Sequence, residues 1–339
     1  MDKNIIKLVL FSVITLTACT TQQPEEQALN KRELVERVLD LSKAPEVIPS
    51  AFFHHFPDKF GPKAVEEHIA FFRATNNDIL KVQYETLPPQ WEIKTAKDFE
   101  KVEILPTEYF EPQLQVIEEL AKQLKDSALI IPTVYSPLLI LHQAAGEGVD
   151  EVIKKYPQAA EPAFEKLAKS IENYIRAARK RGADGFYVSS HGGNVEFFGQ
   201  DSEVWTKYLR KWDKYISEVA DSVAPLNILH ICGGKYKNLD AWADYPGTII
   251  NLPEFEVEKL RHAQEVFKRP ILGGLDHHGV LINGTLEDVY TQIDSVLAKG
   301  PQNLILGANC TVPDSTSSER IRAIVDYVHS WRQTHQTHQ

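Results

Sequence analysis

The sequence predicts a single α/β domain, a (β/α)8 TIM-type barrel that occupies residues 30–331. Eight short apolar segments alternate along the chain with segments whose apolar residues recur at helical spacing. Short buried strands separated by helices are typical of a parallel sheet, and eight such units are enough to close a barrel. No low-complexity or Gly/Ser-rich linker interrupts the alternation, so one domain accounts for it.

The predicted strands are the short apolar segments themselves, and they lie at 50–55, 78–84, 128–134, 185–190, 226–230, 248–252, 270–274 and 303–307. Helical spacing of apolar residues is clearest in 164–178, 208–219, 286–296 and 321–328. An open doubly wound sheet is the main alternative. That fold would need a glycine-rich phosphate-binding turn early in the chain, and none follows the first strand.

The first 19 residues have the pattern of an export signal. Lys3 and Lys7 precede an apolar run at 8–16 that is too short to span a bilayer, and Leu16-Thr-Ala-Cys19 resembles a bacterial lipobox. We expect lipidation of Cys19 to anchor the protein on the extracytoplasmic face of a bacterial membrane. Residues 20–29 would form a polar tether and 332–339 a disordered tail. The alternative is a plain signal peptide with a chance cysteine.

Charge and cysteine content narrow the possible partners. The formal net charge is -10, so the chain has no basic excess to neutralise phosphates, and nucleic acid is not an expected partner. Only three cysteines occur, Cys19, Cys232 and Cys310, and the lipobox accounts for the first. An exported protein that depends on disulfides normally has more. The other two therefore form one disulfide, remain inert thiols, or bind a metal.

Residues with chemically active side chains follow the predicted strands. In a barrel of this kind, the carboxyl ends of the strands form the rim that carries the active site. Half of the twelve histidines and both later cysteines would lie near that rim, which indicates a metal or acid/base site. In strand order, these residues are His54, His55, Tyr84, Glu85, Tyr135, His191, His230, Cys232, Glu254, Glu256, Asp276, His277, His278, Asn309 and Cys310.

The pair His230 and Cys232 predicts two ligands on one face of the fifth strand, because side chains two residues apart point the same way. Cys310, after the eighth strand, would supply a third ligand. Three protein ligands and an open position are typical of a catalytic zinc. Two thiolates make such a zinc electron-rich and suited to holding a substrate thiol as the thiolate that accepts a methyl group. Glu254 or Asp276 would provide a fourth, displaceable oxygen.

The two later cysteines have two alternative roles. One is a disulfide between Cys232 and Cys310, although strands five and eight are not neighbours and a disulfide needs Cα atoms within about 7 Å. The other is a pair of unrelated buried thiols beside a core histidine. Both alternatives stay open at the level of the sequence.

The remaining rim residues are candidates for catalysis and binding. We assign Glu85, His191 and Asp276 as candidate catalytic residues. Glu85 either works with Tyr84 as an acid/base pair or only orients a neighbour. The loop at Asp276 either contacts a ligand or caps a helix, and the glycines after His191 either allow a close approach to a ligand or form a turn. The candidate cofactor-binding residues are His54, Tyr84 and His277.

Several motifs resemble the uroporphyrinogen decarboxylase superfamily over roughly residues 45–330. They are Asp78-Ile-Leu-Lys81, His230-Ile-Cys-Gly-Gly234, Gly273-Gly-Leu-Asp276 with Gly284-Thr285, and Gly307-Ala-Asn-Cys310 with Val312-Pro313. The chain is more similar to the zinc-dependent methylcobamide:coenzyme M methyltransferase branch, which is built on an α/β barrel and carries a His-x-Cys…Cys zinc site. The resemblance implies Zn²⁺ on His230, Cys232 and Cys310, with Glu254 as a further ligand and a corrinoid as possible methyl donor.

The chain departs from the decarboxylase branch where that branch binds its substrate. The arginine-rich motif of that branch is missing, since the first strand ends Phe53-His-His-Phe-Pro57. The tyrosine after the third strand of the decarboxylase has no evident counterpart in 136–143. The resemblance leaves three hypotheses. They are zinc-thiolate methyl transfer to a small thiol, a decarboxylase-type lyase acting on a porphyrinogen, and a non-catalytic lipoprotein that binds a corrinoid, a tetrapyrrole or a metal.

Overall fold

The computed structural model describes residues 30–124, 126–146, 148–233 and 239–335, and within them eight parallel strands form a nearly closed barrel. The sheet order is β1-β8-β7-β6-β5-β4-β3-β2. The strands are β1 Ser50–Ala51, β2 Ile79–Val82, β3 Leu129–Tyr135, β4 Gly185–His191, β5 Leu226–Cys232, β6 Ile249–Asn251, β7 Ile271–Leu275 and β8 Leu304–Ala308. All eight predicted strands are present, and the predicted barrel is confirmed. The export signal and tether predicted for residues 1–29 lie outside the described residues.

Twelve α-helices lie within the described ranges, most of them on the outside of the barrel. They are α1 Lys31–Val38, α2 Gly61–Thr75, α3 Glu111–Leu124, α4 Pro137–Ala145, α5 Val149–Lys155, α6 Pro157–Lys180, α7 Gly192–Phe198, α8 Arg210–Val223, α9 Val257–Phe267, α10 Val280–Asn283, α11 Leu286–Lys299 and α12 Ser318–His335. None of the helices in these ranges has the length and apolar content that a membrane span requires.

The barrel closes between β1 and β2 through two polar side chains. The Asp78 amide donates to Ser50 O at 2.9 Å, and the Asp78 carboxylate accepts the Ser50 amide at 2.7 Å. One residue earlier, the Asn77 side chain accepts from Phe52 N and donates to Phe52 O, both at 3.0 Å. These bonds satisfy buried backbone groups of β1 that would otherwise lack partners.

Alternate residues of the strands point into the barrel, as the two-residue period of a β-strand requires. The apolar ones form an inner core that the short helix α1 covers from below through Val35 and Val38. This inner core consists of Ala51, Phe53, Ile79, Leu129, Ile131, Tyr187, Leu226, Ile228, Ile249, Leu272 and Ile305 together with those two residues. In the upper half of the barrel, polar side chains occupy the inward-facing positions.

The outer layer follows the predicted helical spacing. In α6, Phe164, Leu167, Ile171, Ile175 and Ala178 are all buried against the barrel. The helix before the C-terminus shows the same pattern, with its buried residues at the predicted positions 321, 324, 325 and 328.

The prediction of a disordered tail at residues 332–339 was wrong for its first residues. Residues 332–335, expected to be disordered, continue α12. The imidazole of His335 stacks on Trp331 with a ring distance of 4.6 Å, and its Nδ1 lies 2.8 Å from Trp331 O, so the last turn has its own contacts. Residues 336–339 lie outside the described part of the chain.

Candidate metal centre

The three predicted metal ligands meet inside the upper half of the barrel. His230 and Cys232 are on the inward face of β5, and Cys310 follows β8 by two residues. Their ligand atoms all lie within 4.8 Å of one another, and Cys310 Sγ is 3.9 Å from His230 Nε2. Strands β5 and β8 are not neighbours, so these side chains converge across the interior of the barrel.

The chain turns sharply after Cys232, at Gly233. This glycine has a φ of 63°, in the left-handed region that residues with a Cβ rarely adopt. A Cβ at this position would lie 3.3 Å from Nε2 of His191 on the adjacent strand β4. Glycine therefore lets the backbone leave β5 directly above the site without displacing that imidazole.

Cys232 and Cys310 form no disulfide in the structure, and they share a hydrogen bond. That bond lowers the pKa of Cys310, with a further contribution from His230, and it raises the pKa of Cys232. The thiol of Cys310 therefore loses its proton before that of Cys232. In the structure the two sulfur atoms lie within 4.8 Å of each other and are not bridged.

The imidazole of His230 is held by aromatic and amide groups. Its ring stacks on Tyr187 at a centroid distance of 4.8 Å, and the Tyr187 hydroxyl donates to Asn251 Oδ1 at 2.6 Å. The Asn251 amide in turn donates to the carbonyls of Leu272 and Ala308. The orientation of His230 is therefore anchored to four strands besides its own, β4, β6, β7 and β8.

The residues present fit a zinc ion. Typical Zn–S and Zn–N bonds of about 2.3 and 2.0–2.1 Å place tetrahedral ligand atoms roughly 3.5–3.8 Å apart. The 3.9 Å separation of Cys310 Sγ and His230 Nε2 is close to that spacing. His230 Nδ1 is buried and finds no hydrogen-bond partner among the described residues, while Nε2 faces Cys310 Sγ. Two thiols and an imidazole are donors that zinc prefers.

A cavity of about 500 Å³ opens beside the three ligands. Its volume is in the range of small-molecule sites, and it lies at the strand ends where barrels carry their active sites. The polar and aromatic residues that line it include His55, Lys81, Gln83, Tyr135, Tyr187, Ser189, His191, His277 and His278.

Lys81 lines the cavity but is absent from the residues predicted for the rim, although it ends one of the motifs quoted above. It is only 8% exposed, and burial lowers the pKa of its ammonium to about 8, while Cys310 and Cys232 oppose the shift. Its Nζ donates to Thr311 Oγ1 at 3.1 Å. Lys81 points inward, as do Ile79 and Gln83 two residues before and after it. This two-residue period is the feature of the sequence from which the inward position of Lys81 could be predicted.

Two further predicted residues, His191 and His277, line the same cavity. His277 is held by Asn309, whose Oδ1 lies 2.8 Å from the backbone nitrogen of His277 and 2.7 Å from its Nδ1. The Asn309 amide donates to Pro253 O at 2.6 Å. The loop after β7 is therefore fixed to the end of β8. The roles assigned to both histidines stay predictions.

His54 and Tyr84, which follow β1 and β2, point away from the interior of the barrel. His54 stacks on Phe71 of α2 at 5.3 Å, outside the barrel. Tyr84 packs between Tyr135 and Tyr174 with ring distances of 5.5 and 5.4 Å, and burial raises its pKa. Neither lines the cavity, because each is one residue out of step with the inward positions. The residues that face the cavity instead are His55, next to His54, and Lys81 and Gln83, just before Tyr84.

Glu85, Asp276 and Glu254 also lie outside the group of cavity-lining residues. Glu85 pairs with Lys59 at 3.1 Å, and the Asp276 carboxylate accepts the backbone N–H of His278, as a loop-capping residue does. Glu254 is not part of the His/Cys/Cys cluster, so the structure does not bring the expected fourth ligand to it. Burial raises the pKa of Glu254, and its Oε2 is buried with no partner in the described chain.

Comparisons with known proteins identify the family and agree with the fold. Residues 81–331 match the family described as Uroporphyrinogen decarboxylase (URO-D), and the chain belongs to this family. A methylcobamide:CoM methyltransferase MtbA of Methanosarcina mazei is 28% identical over 159 residues, which are 47% of this chain and 45% of that protein. A methylated-thiol–coenzyme M methyltransferase of the same organism is 25% identical over 62% of this chain and 56% of its own length. These matches span about half the length of the curated relatives.

A solved structure has the same fold over most of the chain. A methyltransferase from Methanosarcina mazei superimposes with a TM-score of 0.73 at 14% identity, and the match covers 89% of this chain and 99% of that one. A putative vitamin-B12 independent methionine synthase from Listeria monocytogenes gives a TM-score of 0.51 at 11% identity over 85% of this chain and 98% of its own. At these identities the two structures show the barrel fold alone.

Proposed function

We propose that the protein is a methyltransferase-type enzyme that binds Zn²⁺ through His230, Cys232 and Cys310 and transfers a methyl group to a small thiol. The observation that carries the proposal is the convergence of these three donors from β5 and β8 beside a cavity. Three protein donors leave a tetrahedral ion one open position, which is the arrangement of catalytic rather than structural zinc.

The protein residues supply the geometry of the reaction. When bound, zinc supplies a Lewis acid that lowers the pKa of a substrate thiol. His230 keeps its orientation through Tyr187 and Asn251, so the open side of the cluster faces the cavity. His191 and His277 line the same cavity, so both would face a substrate bound there.

A corrinoid is the proposed methyl donor. Support comes from the curated relatives, two of which are named methylcobamide:CoM methyltransferases. In the reaction, the thiolate sulfur attacks the methyl carbon, the cobalt–carbon bond breaks, and cobalt leaves with the electron pair as Co(I). The proton of the thiol is released to solvent before the attack.

The decarboxylase reaction is the alternative that the family name raises. A porphyrinogen carries several carboxylates, which a protein would have to neutralise with basic groups. Among the described residues that line the cavity, Lys81 is the single lysine and no arginine occurs. The cavity is therefore better suited to a ligand that carries fewer carboxylates than a porphyrinogen does.

We also propose that Cys19 is lipidated and holds the protein on the extracytoplasmic side of a membrane. Support comes from the basic, apolar and lipobox segments of residues 1–19. Expression of the full chain with a Cys19→Ala variant would test this. The wild type should partition with membranes and take up labelled palmitate, whereas the variant should do neither. Equal behaviour of the two proteins would contradict it.

Turnover with methylcobalamin and a thiol tests the proposed reaction. We expect the zinc-loaded protein to consume methylcobalamin in the presence of 2-mercaptoethanesulfonate or glutathione, with formation of the methyl thioether. Cys310→Ser should abolish this activity. His54→Ala, which alters a histidine outside the cavity, should retain it. No turnover by a protein with full zinc content would leave the non-catalytic binding function instead.

A further inference from the structure

Lys81 carries a buried positive charge at the floor of the metal centre. Its ammonium lies over the rings of Phe53 and Tyr187, at 5.0 and 4.7 Å from their centroids. Its hydrogen bond goes to the hydroxyl of Thr311, the residue after Cys310. Two aromatic faces and one neutral hydroxyl stabilise an ammonium only in part, because none of them carries a full negative charge.

The ammonium has no carboxylate partner among the described residues, since none of the ion pairs within 4.0 Å includes it. The negative groups that act on it most strongly are the sulfurs of Cys310 and Cys232, ahead of the more distant Glu85. A charge that is this deeply buried normally has an opposite charge nearby. The nearest source of negative charge for Lys81 is therefore the pair of sulfur atoms in the cluster.

The same lysine touches the supports of the ligands. Tyr187 has Lys81 at one side and stacks with His230 at 4.8 Å, and Thr311 is bonded directly to Cys310. The position of the ammonium is thus tied to the position of the ligands.

We propose that Lys81 is a positioning residue whose fixed positive charge selects an anionic fourth ligand, a thiolate rather than a neutral molecule, at this metal centre. The inference rests on the proposed zinc site and deepens it. Two cysteine thiolates and Zn²⁺ sum to zero charge, so Lys81 has little net effect on metal affinity. A third thiolate makes the centre anionic, and Lys81 restores neutrality.

The test uses the full protein loaded with Co²⁺, whose thiolate charge-transfer absorbance reports each added sulfur ligand. The probes are 2-mercaptoethanol, which brings no charge except its thiolate, and imidazole, which binds as a neutral ligand. Lys81→Met should weaken 2-mercaptoethanol binding at least tenfold, since opposite charges a few ångströms apart in a buried site interact strongly. Binding of imidazole and of Co²⁺ should change less than about threefold.

Two variants serve as controls. Lys81→Arg keeps the charge and should restore most of the thiol affinity. Lys166→Met removes a lysine of α6 whose ammonium donates to the backbone oxygen of Val102, outside the cavity, and should bind both probes as the wild type does. If Lys81→Met does not fold, as judged by circular dichroism, Lys81→Gln takes its place.

The outcomes separate the two proposals. Unchanged thiol affinity in Lys81→Met, or an equal loss of thiol and imidazole binding, would overturn the role of Lys81 and leave the metal site in place. Failure of the wild-type protein to bind Co²⁺ or Zn²⁺ would instead overturn the proposed function and the inference that rests on it.

Discussion

At the scale of the residue, the direction of a side chain decides whether a histidine belongs to the site. His230 points into the barrel because it shares the inward alternation of Ile228 and Cys232. His54 comes from the same rim but lies one residue out of step with Phe53, and it packs on Phe71 of α2. The two histidines have the same side chain and differ in whether it points into the barrel or away from it.

This difference predicts opposite results for two matched substitutions. His230→Ala should lower zinc affinity at least a hundredfold, because it removes one of three donors from the cluster. His54→Ala should leave zinc affinity within about threefold of the wild type. Competition with a chromophoric chelator measures both. Equal affinities of the two variants would show that His230 is not a ligand.

The sequence was sufficient to predict that His230, Cys232 and Cys310 lie together, but not all of their surroundings. The spacing of His230 and Cys232, with Cys310 after the last strand, was enough to predict the cluster that the structure brings together. Lys81 was missed because charged residues are rarely buried, so a lysine within a strand is not expected to face the interior. The expectation for Glu254 depended on the path of the loop after β6, which no strand periodicity determines.

At the scale of the element, β4 and α8 are joined by a buried polar contact directly behind the cavity. The Ser190 hydroxyl donates to Asp213 Oδ2 at 2.5 Å and accepts from Trp242 Nε1 at 2.9 Å. Burial raises the pKa of Asp213 to about 6, although hydrogen bonds from Ser190, Tyr245 and Ser136 oppose the shift. Ser190 points outward, so this contact holds in place the strand whose next residue lines the cavity.

The raised pKa of Asp213 predicts how stability depends on pH. The folded protein holds the Asp213 proton up to about pH 6, whereas the unfolded chain releases it near the ordinary value of 3.8. The contribution of Asp213 to the free energy of unfolding therefore falls as pH rises through this interval, by about 3 kcal/mol in total.

Asp213→Asn removes this titration. The free energy of unfolding of the variant, relative to the wild type, should rise by roughly 2–3 kcal/mol between pH 4 and pH 7. Urea denaturation at several pH values measures the difference, and other groups cancel because they are shared. A difference that is flat across this range would contradict the raised pKa.

At the scale of the whole molecule, the barrel depends on the junction of its first two strands. Neighbouring strands elsewhere pair through backbone ladders, but β1 is joined to β2 largely through Asn77 and Asp78. The strand alternation was enough to predict all eight strands and their closure into a barrel. It did not predict this junction, since polar side chains before a strand carry no periodic signal.

Asn77→Ala should destabilise the barrel by about 2–4 kcal/mol, because it leaves the buried amide and carbonyl of Phe52 without partners. The midpoint of urea denaturation measures the loss. Asn173→Ala is a suitable control, since its amide makes one longer bond of 3.4 Å to Leu105 O in the outer layer. It should cost less than about 1 kcal/mol. Equal losses in the two variants would contradict the closing role of Asn77.

The zinc content of the purified protein tests the central claim most directly, together with a thiol titration after denaturation. We predict one zinc ion per chain in the wild type, with Cys232 and Cys310 both titrating as free thiols. Cys232→Ser or Cys310→Ser should purify with little or no zinc. A wild-type protein without zinc, in which these two cysteines form a disulfide, would contradict the proposed metal centre.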